Sequence, residues 1–154
     1  MSTSIDDLDR DLIAILQRDG RTTNTEIARQ LGVVEGTIRR RMDRLIDEGI
    51  IKVVAVTDPF KVGMGIVALI HLDVELSHLE KVAEKLEEMQ CVRVVAYATG
   101  GYDIMVEAIF PSQQGLLDFL KDDLPLIPGI RKTETSILLK ILKRSYEWEL
   151  PNVA

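Results

Sequence analysis

The apolar positions of the first fifty residues recur at helical spacing. Ile5, Leu8, Leu12, Ile15 and Leu16 share one face, and Asp6, Asp7 and Asp9 crowd the start, where the helix dipole favours anions. Gly20 closes this first pattern. Thr23-Asn24-Thr25-Glu26 reads as a capping box, in which the Thr23 hydroxyl and the Glu26 carboxylate each accept a free backbone N–H of the other. A short helix with Ile27, Ala28 and Leu31 inward follows, and Gly32 ends it. The spacing then predicts a third helix from Glu35 to Glu48, with Ile38, Met42, Leu45 and Ile46 inward and Gly49 as its stop.

From Ile50 the period changes. Ile50–Val56 is β-branched and apolar, which predicts a strand, and Thr57-Asp58-Pro59 with Gly63 and Gly65 predicts a linker. Beyond it the pattern gives a strand over Ile66–Val74, a helix over Leu79–Met89, a strand over Val92–Thr99 and a Gly100-Gly101 turn. A strand over Asp103–Phe110, a helix over Gly115–Leu124 and, after Pro128-Gly129, a strand over Thr133–Leu142 complete it. The order β-α-β-β-α-β is that of the ferredoxin-like split unit, an antiparallel sheet with both helices on one face. The expected fold class is therefore α+β: an N-terminal three-helix (winged) helix-turn-helix in residues 1–50, a strand and linker in 51–64, and a ferredoxin-like βαββαβ domain in 65–154. Val67, Leu69, Val94 and Ile104 or their neighbours would line the face without helices, and their apolar character favours coverage by a second subunit.

Composition narrows the function classes. The chain has 154 residues, 46% of them hydrophobic and 29% charged, as in an ordinary globular protein of one domain or two small ones. Its most apolar stretch, Met64–Leu72, is half the length of a membrane helix and includes His71, and the first residues lack the basic and apolar regions of a signal peptide. The expected location is the cytoplasm, with no membrane partner. A single cysteine, Cys91, excludes an internal disulfide and thiolate metal motifs, and is expected to be a reduced, buried thiol. The net charge of −6 argues against a polyanionic partner, but its distribution is uneven. Met1–Val56 carries 9 basic and 10 acidic residues, Thr57–Ala154 carries 10 and 15, so the first part has room for a local basic face.

That face falls on the third helix. Two helices joined by a tight glycine-containing turn and preceded by a third form a helix-turn-helix, whose last helix lies in the major groove. Opposite its apolar stripe stand Thr37, Arg40, Arg41 and Arg44, and Gly36 removes bulk near the first turn. Arginine's planar fork suits phosphate oxygens or the O6 and N7 of guanine. The candidate contacts to double-stranded DNA are Thr23, Asn24, Gly36, Thr37, Arg39, Arg40, Arg41 and Arg44. The competing reading is a solvated helix held by the i, i+4 pairs Arg39–Asp43 and Arg44–Glu48.

Other chemistry finds little support. Gly63-Met64-Gly65-x-x-Ala68 fits a relaxed dinucleotide fingerprint, but a strand follows it where a phosphate-capping helix is required. His71 and His78 have no partner at metal-ligand spacing, and no nucleophile–base set can be assembled around Cys91. No catalytic residue, metal or cofactor is expected.

Leu16-Gln17-Arg18-Asp19-Gly20-Arg21, Asn24-x-Glu26-Ile27-Ala28, Thr37-Ile38-x-x-Arg41-Met42-x-x-Leu45 and Glu48-Gly49-Ile50-Ile51 strongly resemble the Lrp/AsnC (feast/famine, leucine-responsive) transcriptional regulators. Thr99-Gly100-Gly101-Tyr102-Asp103 and Pro128-Gly129-Ile130-x-x-Thr133-x-Thr135 continue the likeness over nearly the whole chain. The resemblance implies a DNA-binding domain followed by an effector and assembly (RAM) domain, dimerising through the second domain and assembling further to an octamer. It also implies a site between dimers for a free amino acid, carried over here to Gly100, Gly101, Tyr102, Asp103, Thr135 and Ser136. Chemically, backbone N–H groups at the glycines can approach a carboxylate, and Asp103 can take an ammonium; the plainer reading of the same residues is a hairpin turn. Val34 departs from the family, which usually has a serine N-cap there. An assembly module that binds protein, a DNA-compacting protein without sequence preference, and an enzyme using Asp103 are the alternatives.

Overall fold

The computed structural model describes residues 5–148 and Leu150. The chain divides into two compact units. One holds the described residues up to Val56 together with those from Lys143 onward, and the other is Thr57–Leu142. The sequence pattern places the last residues in the second domain, whereas Leu150 packs against the core of the first unit.

The first unit contains α1 (Asp7–Arg18), α2 (Asn24–Leu31) and α3 (Glu35–Asp47). Leu12, Ile13 and Ile15 of α1 meet Ile27 and Ala28 of α2 and Ile38 and Leu45 of α3 in one buried cluster. Gly32 takes a φ of 67°, a left-handed value available to glycine at no steric cost, and so lets α2 stop and the chain turn into α3 across Val33 and Val34. Ile46, expected inward, is 45% exposed. The strand expected over Ile50–Val56 is not formed. Ile50 and Ile51 instead give their N–H groups to the Leu45 carbonyl at 2.9 and 3.2 Å, closing the end of α3. A strand needs a neighbour for its ladder, and among the described residues 52–56 pair with none.

The second unit contains β1 (Ile66–Val74), α4 (Leu79–Glu87), β2 (Val92–Tyr97), β3 (Ile104–Phe110), α5 (Gln113–Asp118) and β4 (Ile130–Ile137). The strands form one sheet in the order β2-β3-β1-β4, antiparallel throughout. Alternation sends Ala68, Ile70, Leu72 and Val74 of β1 and Ile104, Val106, Ala108 and Phe110 of β3 toward the helices, where they pack with Val82, Leu86, Leu116 and Phe119. Ile104 thus belongs to the helix-side core and not to the open face. Leu69, His71 and Asp73 of β1 and Met105, Glu107 and Ile109 of β3 alternate with the core positions and make that other face. β4 begins at Ile130 and ends at Ile137, earlier at both ends than the pattern indicated. Its neighbour β1 sets the limit: the last backbone bond runs from Leu138 N–H to Val67 carbonyl at 2.8 Å, and Leu139 and Leu142 beyond it are exposed.

Candidate nucleic-acid interface and effector region

The buried positions of α3, Ile38 and Leu45, define its inner side. Helical geometry at 3.6 residues per turn puts Gly36 and Arg40 nearly opposite, with Arg39 on one flank. Arg39 and Arg40 are exposed, and among the described residues no hydrogen bond or ion pair engages them. Asp43 and Asp47 follow on the same outer face. Their negative charge leaves the cationic part of this face at the N-terminal half of α3.

Arg41 and Arg44 are held within the unit. Arg41 donates from one guanidinium nitrogen to Asp6 at 2.5 Å and to Asp9 at 2.9 Å, and Arg44 donates to the other oxygen of Asp9. Asp9 is 0% exposed, although it is a carboxylate. The Arg41 guanidinium, with help from the Asp9 N–H, holds the Asp6 carboxyl below its usual range, and the carboxylates raise both arginines above theirs. Of the four arginines selected on α3, Arg41 and Arg44 are thus engaged by carboxylates of α1, and Arg39 and Arg40 are not. The Arg44–Glu48 pair of the competing reading is likewise superseded: Arg44 bonds to Asp9, with Glu48 only a nearby charge.

The capping box lies elsewhere than expected. At α1, Asp6 accepts the Asp9 N–H at 2.9 Å and Asp9 accepts the Asp6 N–H at 3.2 Å. At α2, Thr23 accepts the Glu26 N–H at 3.2 Å, but the Glu26 carboxylate turns to Arg29 at 2.7 and 2.8 Å and to Gln30 at 2.8 Å. Those donors bring Glu26 down to about 2. Thr23 is exposed and Asn24 half-buried at the start of α2. Thr25 gives its hydroxyl to Glu35 at 2.9 Å, tying α2 to the first turn of α3. Val34, 73% exposed, caps α3 without a side-chain acceptor, and of the first-turn N–H groups that of Thr37 goes to the Val34 carbonyl at 3.0 Å. Sequence reasoning missed Asp9 and Glu35. The Asp-x-x-Asp spacing signals a cap, but nothing in it shows that a carboxylate will be buried under another helix.

In the second unit, Gly100 to Asp103 form the connection between β2 and β3, and Gly100 has a φ of 121°. Asp103 is engaged in the sheet: its N–H reaches the Leu72 carbonyl at 2.9 Å, its carbonyl accepts the Ala98 N–H at 2.9 Å, and its carboxylate accepts the Val74 N–H at 2.8 Å. The last bond satisfies β1 where its pairing with β4 shifts, between Asp73 and Val74. Arg131 bonds to Asp73 and lies 4.0 Å from Asp103 Oδ2, the oxygen that accepts the Val74 N–H. Tyr102 stacks on His71. Thr135 and Ser136 stand opposite Ile70 and Leu69, beyond β1 from the hairpin, and point to opposite faces of the sheet. One chain therefore does not gather the six sequence-selected residues into one pocket.

The remaining candidates have structural roles. Gly63 closes a turn with φ of 84° and Gly65 precedes β1, so no helix N-terminus stands over them. His78 lies 3.2 Å from Glu75 and its ring packs on Gly129. Cys91 is half-buried, and burial pushes its thiol up.

Comparison with known proteins bears on both units. Residues 5–52 match the winged helix-turn-helix DNA-binding family and residues 67–148 the Lrp/AsnC ligand binding domain. An uncharacterised HTH-type transcriptional regulator of Pyrococcus furiosus is 46% identical over 143 residues, covering 92% of this chain and 97% of that protein. The HTH-type transcriptional regulator LrpA of Pyrococcus horikoshii is 34% identical, over 90% of this chain and 99% of its own. Among solved structures, Escherichia coli AsnC superposes with a TM-score of 0.82 at 28% identity, covering 94% of this chain and 100% of its own. A Neisseria meningitidis transcriptional regulator solved with L-methionine gives 0.84 at 26% identity, covering 96% and 97%. Among the described residues no helix is long and apolar enough to cross a membrane.

Proposed function

The chain belongs to the Lrp/AsnC family of DNA-binding transcriptional regulators, and from that premise we propose that it reads a specific DNA sequence with the N-terminal half of α3 and responds to a free amino acid. The observation that carries the DNA reading is the exposed pair Arg39 and Arg40 beside Gly36, on a helix whose opposite side is core. A Cβ at Gly36 would meet no protein atom within 4 Å, so the surface there is open to an outside partner. Thr37 supplies a hydroxyl at the edge of the same turn. Thr23 and Asn24, at the start of α2, supply phosphate contacts that set the register.

The effector reading rests on the Gly100–Asp103 hairpin and on the L-methionine held by the Neisseria relative. Because Thr135 and Ser136 lie away from the hairpin within one chain, the site takes shape when residues of two chains meet, with the hairpin glycines offering N–H groups to a carboxylate. The open sheet face, with Leu69, Met105, Ile109 and Val94, provides the surface for a homodimer, and dimers assemble further, up to an octamer. Two copies of α3 then lie a helical turn apart and select a two-fold related site. An amino acid shifts occupancy by its difference in affinity between assemblies.

Selection of bound duplexes from a random pool, repeated with and without the twenty amino acids, tests both parts. A recovered two-fold related sequence whose binding changes with one amino acid is the expected result. Recovery of unselected sequence with a steep salt dependence would replace this reading with DNA compaction.

A further inference from the structure

Asp9 sits on α1, outside the helix assigned to DNA, and yet it is the buried carboxylate on which two of that helix's four arginines converge. Burial of a carboxylate is costly unless it is paired and hydrogen-bonded, and Asp9 meets both conditions. One oxygen takes Arg41, the other takes Arg44, and the second also accepts the Asp6 N–H. Arg41 is bound a second time by Asp6. Arg41 and Arg44 are three residues apart on α3, so a single carboxylate grips two points on one side of the helix. Two fixed points restrict rotation of α3 about its own axis, and that rotation decides where Arg39 and Arg40 point.

We propose that Asp9 is a positioning residue for DNA reading: it sets the roll of α3 and withdraws Arg41 and Arg44 from the duplex, leaving Arg39 and Arg40 to meet it. The inference rests on the reading that α3 contacts DNA. The withdrawal has its own consequence. Four cations in one short helix attract any duplex regardless of sequence, since phosphate contacts carry no sequence information. Pairing two of them internally lowers that indiscriminate attraction and leaves a larger share of the binding free energy to base edges.

The test uses the full chain with Asp9→Asn, titrated into two duplexes over a series of salt concentrations: the sequence selected by the wild-type chain, and a random one. Asparagine keeps the size and loses the charge. Released guanidinium groups should make the random duplex bind more tightly and steepen its salt slope by about 0.9 per released cation. The ratio of selected to random affinity should fall by roughly tenfold, the scale of one lost base contact. Adding Arg44→Gln to Asp9→Asn should take back about 0.9 of that steepening, the share of one cation. A residue that only stabilises the fold would instead weaken both duplexes in parallel with the melting temperature, and that outcome overturns the proposal. If Asp9→Asn does not fold, Arg41→Gln and Arg44→Gln in the wild-type background decide the matter. Unchanged salt slopes support the withdrawal, and a slope reduced by about 0.9 in either variant overturns it. A wild-type chain that binds no duplex at all overturns the DNA reading itself, whereas wild-type selectivity with unaltered slopes in Asp9→Asn overturns the positioning role alone.

Discussion

The ring of Tyr102 lies against the imidazole of His71 with centroids 4.1 Å apart and planes 17° from parallel. The contact joins the β2–β3 connection to the open face of β1, and so anchors the loop whose glycines are assigned to the effector. Tyr102→Ala should lower stability by about 1 kcal/mol and weaken the amino-acid response of DNA binding. Tyr102→Phe, which keeps the ring, should retain both. Thermal melting together with DNA titration in the presence of amino acids checks the pair.

Arg39 and Arg40 face solvent, so their removal should spare the fold. Each alanine variant should keep its melting temperature and oligomer size. Binding to the selected duplex should weaken by about 1–3 kcal/mol where the arginine meets a base edge, or lose about 0.9 from the salt slope where it meets a phosphate. Melting curves and a salt titration separate these outcomes from each other and from loss of fold.

The two glycines singled out in the second unit should behave oppositely on substitution. A Cβ at Gly129 would stand 2.3 Å from the His78 Cβ, and its φ of 100° is one that side chains rarely adopt. Gly129→Ala should therefore cost about 2 kcal/mol, within the range for local backbone strain. A Cβ at Gly101 meets nothing within 4 Å. Gly101→Val should leave urea denaturation unchanged, so any loss of amino-acid response in that variant reports on the ligand.

Val34→Ser should raise stability by about 1 kcal/mol, because a hydroxyl at this extended N-cap can accept a first-turn N–H that now lacks a side-chain partner. Differential scanning calorimetry of the two proteins would show it. An unchanged melting temperature would mean that those N–H groups are already well served by solvent.

Acid should act on the first unit through its lowered carboxylates, Glu26, Asp6 and Asp19. Glu26 titrates at about 2 in the folded chain against an ordinary 4.5, since Arg29 and Gln30 bond to its ionised form. A lowered folded value means that the carboxylate stabilises the fold fully above pH 4.5, progressively less as the pH falls, and not at all below about 2. Asp6, lowered by Arg41, follows the same sign below its ordinary 3.8. The difference in melting temperature between wild type and Glu26→Gln should shrink across this window, and high salt should shrink it at neutral pH because the pair is exposed.

Much of this organisation is legible in the sequence. The three helices and their glycine stops and the βαββαβ order follow from local periodicity, whereas the faces of β3 do not: Ile104 is expected on the open face and lies in the helix-side core. The strand expected over Ile50–Val56 and the late end given to β4 failed for one shared reason. Extended apolar sequence states a capacity to pair, and only a neighbouring strand of matching length turns it into a ladder.

The sequence by itself determined which side of α3 is core, that its outer surface carries arginine, and that a glycine-rich hairpin interrupts the sheet. Tertiary structure decided which arginines remain available, that Asp103 is spent on the Val74 N–H, and that Thr135 and Ser136 stand apart from the hairpin. These outcomes depend on where side chains distant in sequence come to lie. A carboxylate at position 9 competes for a guanidinium at position 44 only once α1 and α3 are packed, and Coulomb attraction over a few ångströms then outweighs any pattern along the chain.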